Sequence, residues 1–150
     1  MREGNLLIRA SAGTGKTYAL ATRYLRLMLL GKVDPAKIVA LTFSRAAAQE
    51  IYTKILERLW KAAESDDIAK KESEEISKAS ETPRSWDRSE FASLLRSLID
   101  TQHLGTIATL DSFILRMVRN FPLEMGFQHA VEVLDSAGEG DALQDALRAI

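Results

Sequence analysis

The string Ala10-Ser11-Ala12-Gly13-Thr14-Gly15-Lys16-Thr17, set between an apolar run and an amphipathic stretch, restricts this chain more than any other feature. It fits the phosphate-binding pattern G-x-x-x-x-G-K-[ST], with Ala10 in the first position. Asn5 to Ala10 reads as a short buried strand. Lys16 to about Leu30 reads as a helix, because Leu20, Tyr24 and Leu27/Met28 recur at helical spacing and Gly31 follows as a stop. Strand, small-residue loop and helix are the setting in which such a string works. Polyphosphate is a concentrated anion, and successive backbone N–H groups from Ala12 to Thr17 can curl around it. The first helical turn adds unpaired donors and the positive end of the helix dipole. Gly13 and Gly15 permit close approach and backbone angles that a Cβ would block. Lys16 places a charge on the β/γ oxygens and the Thr17 hydroxyl can ligate Mg²⁺. Ala10, Ser11, Ala12, Gly13, Thr14, Gly15, Lys16, Thr17 and Tyr18 form the candidate nucleotide-contacting set, for ATP with Mg²⁺. Lys16 and Thr17 carry the chemistry, and Thr17 holds the metal. The plainer alternative is a glycine turn before an ordinary helix.

Composition excludes several classes. The chain has 150 residues, 46% hydrophobic and 27% charged, so a sizeable core is available and wholesale disorder is excluded. With no cysteine, disulfides, zinc ribbons, iron–sulfur clusters and thiol catalysis drop out. His103 and His129 lack metal-like spacing and read as surface or satisfied residues. The apolar-leaning stretch Tyr18 to Leu30 is interrupted by Arg23 and Arg26 and is too short to cross a bilayer. Met1 to Asn5 leads into no signal-peptide core, so a soluble, cytoplasmic protein without a membrane partner is expected. A net charge of −1 hides an asymmetry. Residues 1–60 carry ten Lys/Arg against four Asp/Glu, residues 61–90 six against nine, and residues 91–150 four against eight. An anionic partner would sit on the basic first segment.

Further along, Asp34-Pro35 is a turn and Ile38 to Phe43 a second strand, apolar on both faces as covered parallel strands are. Ser44 can cap a helix running to about Lys61, with Ala47, Ile51, Ile55 and Leu59 on one stripe and Arg45, Lys54 and Arg58 elsewhere. Residues 62–83 are polar and read as a solvated, partly helical insert or a mobile connector ended by Pro83. A helix follows, with Phe91, Leu94, Leu95, Leu98 and Ile99 on one face and Asp87 and Glu90 at capping-box spacing. Thr106 to Leu110 is a third strand, introduced by Gly105. Asp111 opens a helix to about Phe121, with Phe113, Ile114, Met117 and Phe121 expected to face inward and Pro122 closing it. Val131 to Asp135 suits another short strand, and a helix starts near Asp141. Strands alternating with helices imply an α/β fold with a parallel sheet.

Three segments in order resemble superfamily 1 DNA helicases of the UvrD/Rep type, and within them the RecB/AddA helicase–nuclease branch. The loop 10–17 is similar to their first motif, which alanine often opens. Leu41-Thr42-Phe43-Ser44-Arg45-Ala46-Ala47-Ala48-Gln49-Glu50-Ile51 resembles motif Ia. Gly105-Thr106-Ile107-Ala108-Thr109-Leu110-Asp111-Ser112-Phe113 resembles motif Ib, where Asp111 stands in place of the family's usual histidine. The resemblance implies a P-loop NTPase (RecA-like) parallel sheet with flanking helices, in an incomplete motor domain with a helical, charged insert. Residues 1–61 would hold the phosphate loop and motif Ia, 62–104 the insert, and 105–150 the motif Ib strand–helix and the start of the next helical region.

The resemblance also implies single-stranded DNA as partner, crossing the face where motifs Ia and Ib lie. Phe43 would offer its ring to a base, and Thr42, Ser44 and Arg45 would hold the backbone, with Ser112 and Phe113 contributing from motif Ib. The alternative for Phe43 is a core aromatic at the end of a buried strand. Further implications are a role in DNA repair and partnership with a second helicase–nuclease subunit. Such motors need an acidic pair, an arginine finger and a second RecA-like domain to couple hydrolysis to stepping. The chain therefore reads as the N-terminal part of a first motor domain, not expected to unwind DNA alone. A competing reading takes Thr106 to Asp111 as a strand ending in a Mg²⁺-binding acid, which would make this a small complete phosphate-loop kinase or ATPase.

Overall fold

The computed structural model describes residues 15–78, 83–104 and 106–127, together with residues 140, 144, 147 and 148. The strand expected over 5–10, loop residues 10–14, Gly105, His129, the strand at 131–135 and most of the helix expected from 141 lie outside the described residues. The chain divides into two units, residues 1–110 and 111–150.

In the first unit, α1 spans Lys16–Leu29 and buries Ala21, Tyr24, Leu25, Met28 and Leu29. Gly31 sits where a Cβ would come within 2.7 Å of the Leu27 carbonyl oxygen, so only glycine passes there and the helix ends. Asp34 accepts from Ala36 N–H at 2.9 Å and opens a 3₁₀ turn over Pro35–Lys37, as the Asp-Pro pair predicts. Strand β1, Ala40–Thr42, pairs in parallel with β2, Ile107–Thr109, with Ala40 opposite Ile107 and Thr42 opposite Thr109. Both strands are shorter than the apolar runs suggest. The run 38–43 also does not bury both faces: Ile38 and Ala40 are buried, whereas Val39, Leu41 and Phe43 are exposed. The period of two governs here, and one face looks outward.

Between the strands come three helices. Helix α2, Arg45–Glu64, is capped by the Ser44 hydroxyl, which accepts from Ala47 N–H at 3.1 Å. It is the hub of the unit, touching α1, β1, β2, α3 (Asp66–Ser77) and α4 (Arg88–Asp100). Ile51, Ile55, Leu59 and Ala62 form its core stripe with Leu25, Ile76, Phe91 and Leu98. Each buried side chain of the larger apolar kinds contributes about 1.5–3 kcal/mol relative to exposure. Helix α4 begins with the complete capping box that Asp87 and Glu90 predict. Of its expected apolar face, Phe91 and Leu98 are buried and Ile99 is exposed.

The reading of 62–83 as solvated is corrected for its described part. Residues 62–64 complete α2, and α3 buries Ala69, Ser73, Ile76 and Ser77. Polar groups are packed because they are paired. Ser73 donates to Ala69 C=O at 2.7 Å and accepts from Trp86 N–H at 3.0 Å. Ser77 donates to Arg84 C=O at 2.9 Å and accepts from Arg84 N–H at 3.2 Å. Two hydroxyls one helical turn apart thus stitch residues 84–86 along α3, and each satisfied pair is worth about 1 kcal/mol.

The second unit contains most of α5, Leu110–Asn120, and the turn at 122–126, where Phe127 N–H reaches Pro122 C=O at 2.8 Å. No residue of α5 is buried, and Ile114, Met117 and Phe121 are exposed, against the expectation that they face inward. Apolar periodicity shows which side chains share a face, not that a partner covers it. Among the described residues, no helix is long and apolar enough to cross a membrane.

Candidate nucleotide cleft and strand-end residues

The site is built where the chain enters α1. Gly15 is the N-cap residue, at φ 79° and ψ 23°, in the left-handed region. A Cβ there would meet no atom within 4 Å, so the demand for glycine is conformational rather than steric. No side chain caps α1 and its first turn carries no acid, so the positive end of its dipole is not offset there by a carboxylate of its own first turn.

Gly15, Lys16, Thr17 and Tyr18 form one wall of an open cleft of about 910 Å³. Among the described residues the facing wall comes from α2: Ala46, Gln49, Glu50, Thr53, Lys54 and Glu57. These six fall at i, i+3, i+4, i+7, i+8 and i+11, a single helical stripe beside the core stripe. Apart from Ala46, Gln49 and Glu50, which fall within the motif Ia string, sequence reasoning misses this wall, although the polar half of α2's periodicity is the signal for it. Gln49 Nε2 donates to Thr53 Oγ1 at 3.4 Å, and Lys54 lies 3.8 Å from Glu57. Among the described residues the lining holds two ammonium groups, Lys16 and Lys54, against two carboxylates, Glu50 and Glu57.

Among the described residues no group of three or more His, Asp or Glu side chains could cage a metal ion. Mg²⁺ usually takes one or two protein oxygens and completes its shell with phosphates and water. The Thr17 hydroxyl, in the cleft wall beside Lys16, suits that mode. His103 is exposed and its Nδ1 is 2.8 Å from Asp100 C=O, in keeping with a satisfied surface residue.

The second candidate set follows β1 directly. Thr42 ends the strand and is half-buried, while Phe43 is 90% exposed. The core-aromatic alternative for Phe43 therefore fails. Ser44 and Arg45, also exposed, begin α2, with the Ser44 hydroxyl engaged in the cap. Ser112 is exposed and Phe113 half-buried, both on α5 in the second unit. Asp111 lies within the first turn of α5, and β2 ends at Thr109. The picture of a strand ending in that acid is corrected accordingly, and with it goes the main support for a compact kinase.

Parallel strands joined through helices, with a polar cleft at the start of α1, define a mixed α/β domain with a candidate anion site. Residues 1–149 match the UvrD/REP helicase N-terminal domain family, and the chain belongs to that family. Over 150 residues, 99% of this chain, it is 25% identical to an ATP-dependent helicase/nuclease subunit of Lactobacillus acidophilus. It is 31% identical over 133 residues, 85% of the chain, to the protein of the same name from Clostridium perfringens. It is 30% identical over 153 residues, again 85% of the chain, to RecBCD enzyme subunit RecB of Haemophilus influenzae. The chain spans only 10%, 9% and 12% of the lengths of these three relatives.

Proposed function

We propose that this chain is the nucleotide-binding N-terminal part of an ATP-dependent DNA helicase of the helicase–nuclease type, acting in break repair or recombination. Family membership and the names of the relatives support the class. The cleft at the start of α1, walled by Gly15, Lys16 and Thr17, is the observation that carries the nucleotide reading. Residues 10–17 would then be a phosphate loop on a RecA-like parallel sheet, with 62–104 the helical, charged insert and 105–150 the motif Ib segment.

In this reading the left-handed Gly15 turns the chain so that successive N–H groups converge on the β- and γ-phosphates. Lys16 neutralises developing charge on the γ-phosphoryl oxygens. Thr17 is the protein oxygen that would hold Mg²⁺, which when bound offsets phosphate charge. Two ammonium groups balanced by two carboxylates do not neutralise a triphosphate by themselves. The lining therefore favours the metal-complexed nucleotide over the bare polyanion. Phe43, Thr42, Ser44 and Arg45, at the carboxyl end of β1, would meet single-stranded DNA. An exposed ring stacks on any base, and hydroxyl and guanidinium groups suit the phosphodiester chain. Ser112 and Phe113, on α5, are further proposed DNA-contacting residues. A second helicase–nuclease subunit is a further expected partner. Unwinding belongs to the intact protein, since these residues lack a second motor domain to move against the first.

Lys16→Ala in the intact protein tests the nucleotide reading. Binding of a fluorescent ATP analogue with Mg²⁺ should be lost while the thermal midpoint is kept. A folded Lys16→Ala protein that binds the analogue normally would refute it.

A further inference from the structure

Sequence spacing sets Arg58 off the apolar stripe of α2. In the structure it is 8% exposed and the centre of a polar cluster joining three helices. Its Nε donates to Glu72 Oε1 on α3 at 2.5 Å and its Nη2 to Glu72 Oε2 at 3.2 Å, a two-pronged ion pair with both partners largely buried. Its Nη1 donates to Thr22 Oγ1 on α1 at 2.6 Å. The Thr22 hydroxyl donates its own proton to the Tyr18 carbonyl at 2.9 Å. The guanidinium carbon also sits 4.6 Å from the centre of the Tyr18 ring. Arg58 therefore grips Tyr18 twice, directly at its ring face and through Thr22 at its carbonyl, while Glu72 fixes the guanidinium plane.

Tyr18 has two sides. One meets Arg58; the residue is 44% exposed and belongs to the cleft wall with Lys16 and Thr17. Of Arg58, Glu72, Thr22 and Tyr18, only Tyr18 lines the cleft. We propose that Arg58 and Glu72 are positioning residues for the nucleotide cleft: they hold the Tyr18 ring and the first turn of α1 in place before a nucleoside triphosphate arrives. This deepens the nucleotide reading above and rests on it. Its consequence is that α3, part of the charged insert, is coupled to nucleotide affinity through one arginine. A planar guanidinium is needed because lysine can neither pair with Glu72 in two places nor lie flat against a ring.

The magnitude follows from the freedom Tyr18 would regain. Releasing its restraint weakens nucleotide binding about two- to tenfold, the range set by the cost of immobilising one side chain on binding. The test is a double-mutant cycle in the intact protein, read by titration of a fluorescent ATP analogue with Mg²⁺, with thermal midpoints measured alongside. Arg58→Lys should raise Kd by that factor, and Glu72→Gln, which keeps shape and volume, should do so in the same direction. In a Tyr18→Ala background both should change Kd by less than about twofold, because the element they position is gone. If Arg58→Lys and Glu72→Gln lower the thermal midpoint but leave Kd unchanged, or shift Kd equally with and without the Tyr18 ring, the cluster is structural only and the proposal falls. Lys16→Ala run in parallel separates the two failures: loss of binding there with no effect at Arg58 and Glu72 sinks this inference alone, whereas retained binding sinks the nucleotide reading beneath it.

Discussion

Phe43→Ala separates a ring used for binding from a ring used for packing. At 90% exposure, Phe43 contributes almost no apolar area to the core that Ile51, Ile55, Leu59 and Phe91 build. A buried phenylalanine replaced by alanine costs about 3–5 kcal/mol, whereas exposed substitutions stay within about 0.5 kcal/mol. The thermal midpoint of the variant should therefore match wild type to about 2 °C, taking about 2–4 °C per kcal/mol for domains of roughly 150 residues or more. Stacking of one base on an aromatic ring is worth about 1–3 kcal/mol, so affinity for single-stranded DNA should fall roughly 5- to 150-fold. Fluorescence anisotropy of a labelled oligothymidylate against the intact protein at fixed salt reads this directly, with nucleotide affinity measured in the same samples. Homopolymers of all four bases should lose similar factors, since stacking does not read sequence. Unchanged DNA affinity in a folded variant would refute the strand-binding assignment of Phe43. A fall of many degrees in the midpoint would show that the ring is packed after all.

Gly15→Ala should cost about 1–2 kcal/mol, because φ of 79° is left-handed and alanine is strained there even though its Cβ has room. Calorimetry should show a lower midpoint and titration weaker ATP-analogue binding, and a variant identical to wild type in both would show that α1 does not begin on this turn. Hydrogen bonds from the Ser89 hydroxyl at 2.6 Å, and then from Glu90 N–H at 2.9 Å, hold the Asp87 carboxyl below the usual aspartate range. A carboxyl that is more acidic when folded contributes fully above its unfolded pKa of about 3.9 and loses that contribution as pH falls through the lower folded value. The midpoint difference between wild type and Asp87→Ala should thus be constant from neutral pH to about pH 5 and shrink in stronger acid. A difference that grows on acidification would reverse the sign of the effect.

Local signals carry much of this architecture into the sequence. Helix α2 starts at Ser44 and α4 at Asp87 because each cap is a contact between residues three apart, visible in the string itself. Helix α1 ends before Gly31 for the equally local reason that a Cβ would strike Leu27 C=O. Partnerships across the fold are not visible in the same way. Residues 66–77 look too polar to pack, since nothing in their period reveals that Ser73 and Ser77 meet the backbone of Trp86 and Arg84, or that Glu72 meets Arg58 fourteen positions away. The apolar faces of 38–43 and 110–121 mislead in the opposite direction, because hydrophobicity marks a face without supplying its cover. At the site, Lys16 and Thr17 are legible from their fixed spacing to Gly15, whereas the α2 wall is not, because a polar stripe is ordinarily read as solvent-facing.

Helix α2 is where these demands meet, and its sequence is constrained on three sides at once. Ser44 fixes where the helix begins, immediately after the exposed Phe43. From that origin, positions 51, 55, 59 and 62 turn to the core, positions 46, 49, 50, 53, 54 and 57 to the cleft, and position 58 to the seam between α1 and α3. At about 100° per residue, a one-position shift that brought 50, 54, 58 and 61 to the core would carry Glu50 away from Lys16 and set charges among Leu25, Phe91 and Leu98. The same rotation would withdraw Arg58 from Tyr18. A single helical register thus joins the candidate DNA-contacting residues at the end of β1, the wall facing the start of α1, and the arginine that ties α3 to α1.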